Sequence, residues 1–212
     1  MEKLALRKSD SMYFDVLKEI GNIGTGNAIT SISTMLDMKV NMQVPDAELI
    51  AVQDLNTVIG SEEEEIVGIY IRVHNGIEGS MMFLFKRAAA YFLLNRLFDR
   101  KQGYDKPFDR MDISAMEEVG NIIVGAYLTA IAKMTNLTIE PSVPYISVDM
   151  AGAILSFAAI QLGQYGDNAL MIETSFEDQG MLQGYLIFLP ELDSDVRIFQ
   201  ALGIKGMLTE KE

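Results

Sequence analysis

An internal repeat constrains the fold of this chain more than any other feature of its sequence. When the chain is shifted by 99 residues, residues 15–45 align with 114–144 without a gap, and ten of the 31 aligned positions are identical. Composition alone would give roughly two identities in such a block. The identical pairs are Glu19/Glu118, Gly21/Gly120, Asn22/Asn121, Ile23/Ile122, Gly26/Gly125, Thr30/Thr129, Ile32/Ile131, Met35/Met134, Val44/Val143 and Pro45/Pro144. The repeat predicts two copies of one structural unit.

Each copy is expected to contain a long helix, several strands and a closing helix. In the first copy, helical spacing of apolar residues extends over 10–36, with Ser9 or Asp10 as the N-cap. The segment EIVGIYIRV alternates apolar and polar residues, which predicts a half-buried strand. The other predicted elements are strands in KVNMQVP, ELIAVQ and GIEGSMMFLF, a helix in RAAAYFLLNRLF, and in the second copy a helix over 109–135, strands over 137–149, 168–175 and 181–189, and a helix over 191–203.

These elements predict an α/β (α+β) fold with pseudo-two-fold symmetry. The halves, about 10–102 and 109–203, should share a mostly antiparallel sheet on which the two long helices pack. The linker between them is short and each half alone would bury little surface, so we expect the 212 residues to form a single domain. The halves differ mainly at 151–164, which looks helical and replaces the acidic run 62–65, expected to be a solvated loop.

The composition excludes several kinds of function. The chain has no Cys and one histidine, His74, so disulfides and thiolate chemistry are absent, and neither a Ser-His-Asp relay nor a His-rich metal site is supported. A net charge of −13 argues against nucleic-acid binding. No apolar run approaches the roughly 20 residues that span a bilayer, and the N-terminus lacks a secretory signal pattern. We therefore expect a cytoplasmic protein.

Polar side chains recur on one face of each long helix. At 100° per residue, Asp15, Glu19 and Asn22 fall within an arc of about 60°, next to an apolar stripe. The same arc of the second helix holds three counterparts, which are Ser114, Glu118 and Asn121. Because the apolar stripe should face the sheet, we expect both polar groups to face outward.

Several glycines interrupt these helices. Gly21 and Gly120 lie just before each Asn, where they would remove side-chain bulk and let another backbone approach. If the exposed Glu and Asn are plain surface, Gly21 and Gly26 would instead serve close helix-on-sheet packing, which is also the role we expect for Gly24. Asn27 falls on the apolar side of the helix and its counterpart is an alanine, so we interpret it as a structural residue.

The chemistry available to a Glu and an Asn is narrow. On an exposed helix face such residues are usually plain solvated surface, but exposed positions drift after a duplication, and here both residues persist in both copies. Asn cannot titrate, yet its amide can orient a water molecule, and Glu can pair with a Lys of another protein. Such a site could accelerate hydrolysis of a bond that is already activated, by placing a water in line with the leaving group.

The pattern resembles the CheC/CheX/FliY family of chemotaxis phosphatases, which dephosphorylate the response regulator CheY. The motif of that family is Asp or Ser, three residues, Glu, two residues, Asn, 22 residues and Pro. Two stretches of this chain fit it at every position, which are Asp15-Glu19-Asn22-Pro45 and Ser114-Glu118-Asn121-Pro144. The resemblance extends over essentially the whole chain.

The resemblance implies a role for each catalytic residue. Asn22 and Asn121 would position the water that attacks the phospho-aspartate of CheY, and Glu19 and Glu118 would pair with a Lys of the regulator. The Mg²⁺ that neutralises the phosphoryl group would belong to CheY, so the chain is expected to need no metal or cofactor of its own. The remaining motif residues would frame the site (Asp15, Ser114) or fix where the strand leaves the helix layer (Pro45, Pro144).

The resemblance also implies a second partner, because CheC proteins commonly bind the receptor deamidase CheD. Asp149 and the helix over 151–164 depart from the repeat and are where we expect that surface. An alternative is that AGAILSFAAI is simply a buried helix. A further alternative for the whole chain is a non-catalytic adaptor that binds CheY or CheD and carries vestigial sites.

Overall fold

The computed structural model describes residues 11–38, 41–42, 47–51, 54, 60–101, 106–162, 168–177, 181–191 and 194–203. Within these residues the elements are, in chain order, α1 (Ser11–Met35), β1 (Asn41–Met42), β2 (Ala47–Ala51), β3 (Glu65–His74), β4 (Gly79–Lys86), α2 (Arg87–Leu97), α3 (Arg110–Thr135), β5 (Glu140–Pro141), β6 (Tyr145–Met150), α4 (Ala151–Leu162), β7 (Asn168–Glu177), β8 (Met181–Pro190) and α5 (Ser194–Ala201). The predicted helices and strands are confirmed to within a few residues. Both candidate N-caps of α1, Ser9 and Asp10, lie outside the described residues.

The strands form one sheet in which every pairing is antiparallel. Its order is β1-β7-β8-β4-β3-β5, with β2 also paired to β7 and β6 to β3. The predicted antiparallel sheet shared by the two halves is confirmed, because β4 of the first half pairs with β8 of the second.

The halves exchange edge strands across this sheet. β2 of the first half pairs with β7 of the second, and β6 of the second half pairs with β3 of the first. The equivalent strands β3 and β7 begin at Glu65 and Asn168, which are 103 residues apart, whereas the long helices repeat at 99. Four additional residues therefore precede β7, in the part of the second half that contains α4. This exchange places strands of both halves in one sheet, and the single domain stays a prediction.

The two long helices lie side by side over one face of the sheet. They make their closest contact at Gly24, where an added Cβ would come to 2.4 Å from Cδ1 of Tyr127. Beside it, Oγ1 of Thr25 and the hydroxyl of Tyr127 are 2.6 Å apart in a buried hydrogen bond. Gly24 thus serves helix-on-helix contact, and the predicted helix-on-sheet role is wrong for it.

The second face of the sheet is covered as well. Ile66 of β3 packs with Ile154 and Leu155 of α4 in a separate apolar cluster, while Ile69 faces the long helices. The prediction of a half-buried β3 is confirmed from Ile69 to His74, where burial alternates and Arg72 is exposed. It is wrong at Ile66 and Gly68, because α4 covers that end of the second face. No helix within the described ranges is both long enough and apolar enough to cross a membrane.

The acidic run 62–65 is only partly a solvated loop. Glu62 and Glu63 are exposed, but Glu64 is half-buried and lies 3.4 Å from Nζ of Lys86. The carbonyl oxygens of Glu62 and Glu64 accept hydrogen bonds from the amides of Gly152 and Ala151 at 2.9 and 2.8 Å. The run therefore satisfies backbone donors in the first turn of α4.

The start of α3 is fixed by charged side chains. Asp109 is its N-cap and forms a capping box with Asp112, which is fully buried. Nη1 of Arg100 lies 2.5 Å from Oδ1 of Asp112. The hydrogen bond from Lys106, followed by that from the amide of Asp112, lowers the pKa of Asp109 to about 2.

Two glycines of α1 give a matched test of the helix contact. Gly24→Ala should lower the free energy of unfolding by about 1–3 kcal/mol, because the new methyl group overlaps the Tyr127 ring. Gly26→Ala should raise it by about 1 kcal/mol, because nothing lies within 4 Å of the added Cβ. Urea unfolding of both variants measures the difference, and equal values would refute the contact.

The cap of α3 should make stability depend on acid. Because the pKa of Asp109 falls from 3.8 to about 2 on folding, its charge stabilises the folded chain above pH 4, and that contribution is lost as the pH falls towards 2. Asp109→Asn keeps a capping side chain without the charge, so wild type should exceed it in stability at pH 6 and match it near pH 2. Unfolding measured across this range tests the expectation, and Lys106→Met should remove most of the difference.

Candidate functional site

The first group of motif side chains lies at the surface of α1. Asp15, Glu19 and Asn22 are exposed, whereas the intervening Ile20 and Gly21 are buried. The outward-facing arrangement predicted from the helix period is therefore present. Pro45 lies outside the described residues.

The second group occupies the equivalent surface of α3. Ser114, Glu118 and Asn121 are exposed, and the adjacent Val119 and Gly120 are buried. In both copies the Glu and the Asn are three residues apart, so they lie on the same side of the helix almost one turn apart. The two copies thus present the same pair of functional groups to solvent.

Packing against the sheet holds the backbone that carries Asn121. An added Cβ at Gly120 would come to 2.6 Å from Cγ2 of Ile69, so the helix rests directly on β3 at this point. Gly21 is buried as well. The prediction that these two glycines clear space beside each Asn is wrong, because the space they create faces the interior.

Pro144 lies at the edge of this packing. It is buried, and it precedes β6, whose Ile146 pairs with Ile69 beneath Gly120. α3 contacts both β5 and β6. The proline lies between β5 and β6, which both pair with β3, so the chain enters the sheet before it, and the geometric role of the proline stays a prediction.

A different pair of glycines is open to solvent. Nothing lies within 4 Å of a Cβ added at Gly26 or Gly125, so the packing role predicted for Gly26 is wrong. Both lie four residues after a motif Asn and hence on the same side of the helix. That spacing was available in the sequence, and it is the signal that could have distinguished them from the packed glycines. Asn27 is half-buried, as its position on the helix predicts.

The site offers carboxylate and amide groups and little else. Within the part of the chain that the structure describes, Glu19 and Glu118 have no ion-pair partner, and Asn22 and Asn121 have no hydrogen bond from their side chains. In the same residues no three Asp, Glu or His side chains come together in a group that could hold a metal ion. The arrangement can therefore orient a water molecule and attract a cation of a partner, which leaves the roles of these residues as predictions.

The predicted partner surface around Asp149 is also exposed. Asp149 accepts a hydrogen bond from the amide of Met150, which is 53% exposed. On α4, Phe157 and Ile160 are 45% and 66% exposed, although Leu155 is fully buried. α4 is thus apolar on both sides, and the alternative of a simply buried helix accounts for only one of them.

Comparison with known proteins identifies the two copies. A family model described as the CheC-like family matches residues 12–49 and 111–148, which contain α1 and α3 with the strands that follow them. The two matched segments are 99 residues apart and contain the aligned blocks 15–45 and 114–144 of the repeat.

Sequence relatives extend the likeness over most of the chain. The CheY-P phosphatase CheC of Bacillus subtilis is 36% identical over 197 residues, which cover 89% of this chain and 93% of the relative. The flagellar motor switch phosphatase FliY of the same organism is 25% identical over 138 residues, which cover 65% of this chain and 36% of FliY.

Solved structures share the fold at low sequence identity. Thermotoga maritima FliY matches with a TM-score of 0.75 at 18% identity, covering 94% of this chain and all of that one. The FliM middle domain of H. pylori matches with a TM-score of 0.67 at 9% identity, covering 91% and 99%. The duplicated motif, the shared fold and the relative that aligns along nearly its whole length together show that this chain belongs to the CheC-like family.

Proposed function

We propose that this chain is a phosphatase that hydrolyses the aspartyl-phosphate of a CheY-type response regulator. The observation that carries the proposal is the repeated exposure of a Glu and an Asn on helices whose adjacent residues are buried. The names of the relatives, a CheY-P phosphatase and a motor switch phosphatase, point to the same substrate. The cytoplasmic location expected from the sequence belongs to this proposal, since the regulator acts there.

The proposed reaction is an in-line displacement at phosphorus. A water molecule attacks the phosphoryl group, the bond between phosphorus and the carboxyl oxygen breaks, and the regulator recovers its Asp carboxylate. The water proton leaves with the inorganic phosphate or passes to solvent. Because an acyl phosphate is already activated, the chain needs to supply neither a nucleophile nor a metal, and the Mg²⁺ bound by the regulator neutralises the phosphoryl charge.

In this reaction the chain contributes position. The side-chain oxygen of Asn22 or Asn121 accepts a hydrogen bond from the attacking water and directs its lone pair at phosphorus. Glu19 and Glu118, on the same helix faces, pair with a Lys of the regulator and set its orientation. Packing of Gly120 on β3 keeps the helix backbone from moving during the approach. Asp15 and Ser114 complete the outer edge of each site.

The chain needs to lower the activation free energy of hydrolysis only modestly. Orientation of a single water can contribute about 3–4 kcal/mol, which corresponds to an acceleration of a few hundred-fold. That is sufficient for an acyl phosphate, which hydrolyses readily without help. A binding adaptor with vestigial sites would bind the regulator without this acceleration, so the decay rate distinguishes the two functions.

The Asn side chains provide the direct test. Asn22→Ala combined with Asn121→Ala should return the decay of the phosphorylated regulator to its spontaneous rate, while each single variant reveals the activity of the remaining site. Asn27→Ala is the matched control and should leave the rate unchanged, because Asn27 lies outside the exposed group. A double variant as fast as wild type would disprove the positioning role, and a wild type without acceleration that still binds the regulator would favour the adaptor.

We also propose that the region around Asp149 binds a CheD-type deamidase. The support is its exposed carboxylate next to the exposed apolar side chains Met150, Phe157 and Ile160. An apolar centre bordered by a charge is a common composition for a protein interface. The surface belongs to β6 and α4 and contains none of the motif residues, so the two partners would not compete for the same side chains.

A charge reversal tests this surface. Asp149→Lys should reduce capture of CheD by at least tenfold in a pull-down with purified proteins and should leave phosphatase activity intact. Glu140→Lys, which makes the same charge change at an exposed residue of β5 beside the other end of β3, is the control. Equal capture by both variants and wild type would remove Asp149 from the interface.

A further inference from the structure

The identical residues of the two copies include a set that is exposed on the helices. These positions form one stripe on each helix, made of Glu19, Asn22, Gly26 and Thr30 on α1 and of Glu118, Asn121, Gly125 and Thr129 on α3. All are exposed except Gly125, which is half-buried. The spacings place each set within an arc of about 80°. This shared stripe continues two turns beyond the motif Asn, so the surface preserved in both copies is longer than the motif.

No contact among the residues that the structure describes explains the glycines in the shared stripe. Nothing lies within 4 Å of a Cβ added at Gly26 or Gly125, and neither has a positive φ that would require glycine. A glycine within a helix lowers its stability relative to alanine. Gly24 and Gly120 differ, because each is in close contact with a side chain of another element. Contact with a partner would give the open glycines a reason that the described residues do not provide.

We propose that Gly26 and Gly125 are positioning residues for the phosphorylated regulator. Asn carries its amide only two carbons from the backbone, so the helix itself must come close to the acyl phosphate before Asn22 or Asn121 can hold the water. A side chain one turn further along the same face would keep the regulator away. The inference rests on the function proposed above and extends its docking surface along the helix.

The side chain of Thr30, one turn after Gly26, does not project far from the helix surface. Oγ1 of Thr30 donates a hydrogen bond of 2.9 Å to the carbonyl oxygen of Gly26, so its side chain lies back along the helix. A docked protein surface can therefore follow α1 from Asn22 past Gly26 without meeting a long side chain.

An exposed valine adds an apolar contact beside the second site. Val143 is 86% exposed and is one of the residues identical in both copies. It lies in the segment that leads into β6, three residues before Ile146, which pairs with Ile69 beneath Gly120. A regulator docked over Asn121 and Gly125 is large enough to cover it. The exposure of this apolar side chain is what a partner surface would explain.

Alanine substitutions separate a docking role from a structural one. Gly26→Ala with Gly125→Ala should raise the Tm by about 2–4 °C per substitution, because alanine favours the helix and meets no atom. The same double variant should lose about ten- to a hundred-fold in kcat/KM for the phosphorylated regulator, because a displacement near 1 Å is enough to misplace the water. Decay of the phosphorylated regulator and calorimetric binding of its beryllofluoride-activated form are the two measurements.

Val143→Ser in an Asn22→Ala background should raise KM several-fold at the remaining site.

A methyl group added elsewhere on the same helix is the matched control. Ser31→Thr adds one carbon at an exposed residue on the opposite side of α1 from Asn22, about two and a half turns further along, and should change neither kcat nor KM. Full activity of the double glycine variant, or a fall in its Tm, would overturn the inference and leave the proposed function standing. A wild-type chain that neither binds the regulator nor accelerates its decay would overturn both.

Discussion

The contact between the two long helices determines where both candidate sites lie. At its centre Gly24 meets Tyr127, and the positions related to them by the repeat are Ile123 and Ala28. A glycine and a tyrosine on one side of the pseudo-two-fold axis therefore correspond to an isoleucine and an alanine on the other. Each pair combines a small and a large residue, so the helices can lie close together although the copies have diverged. Any change in that separation would move both outward faces relative to the sheet.

Strand exchange explains why the motif includes a proline so far from the Asn. The segment between them runs from the helix layer to an edge of the sheet, and the strands that follow pair with the other half: β2 with β7, and β6 with β3. In the second copy the path is visible, since Pro144 is buried next to β6 while Asn121 is exposed on α3. In the second copy the gap spans the rest of α3, β5 and the approach to β6, and both strands pair with β3 of the first half, on which Gly120 packs.

The sequence predicted what depends on local period and on repetition. Helices, strands and the outward direction of Glu19 and Asn22 follow from spacing along one segment. The second copy indicates which exposed polar residues are candidates for function, because the same Glu and Asn recur there. Contacts between distant segments were not predictable in this way. The burial of β3 on its second face comes from α4, far along the chain, and the partner of Gly24 is a tyrosine from the other copy. The spacing of four residues from each Asn marks the open glycines in the sequence, but the helix period does not identify the side chain against which a buried glycine packs.

The glycines of α1 serve two different purposes, because some pack within the chain and one is exposed on the surface proposed to contact a partner. Gly21 and Gly24 are buried, and the intrinsic helical cost of each is offset by close packing within the chain. Gly26 has no such offset, although a single substitution to alanine would remove its cost. The same residue nevertheless stands at the same place in the second copy, as Gly125. A feature that weakens the isolated chain at two equivalent positions is best explained by an interaction that exists only in the complex, and the surface that would make it begins at the Asn one turn away.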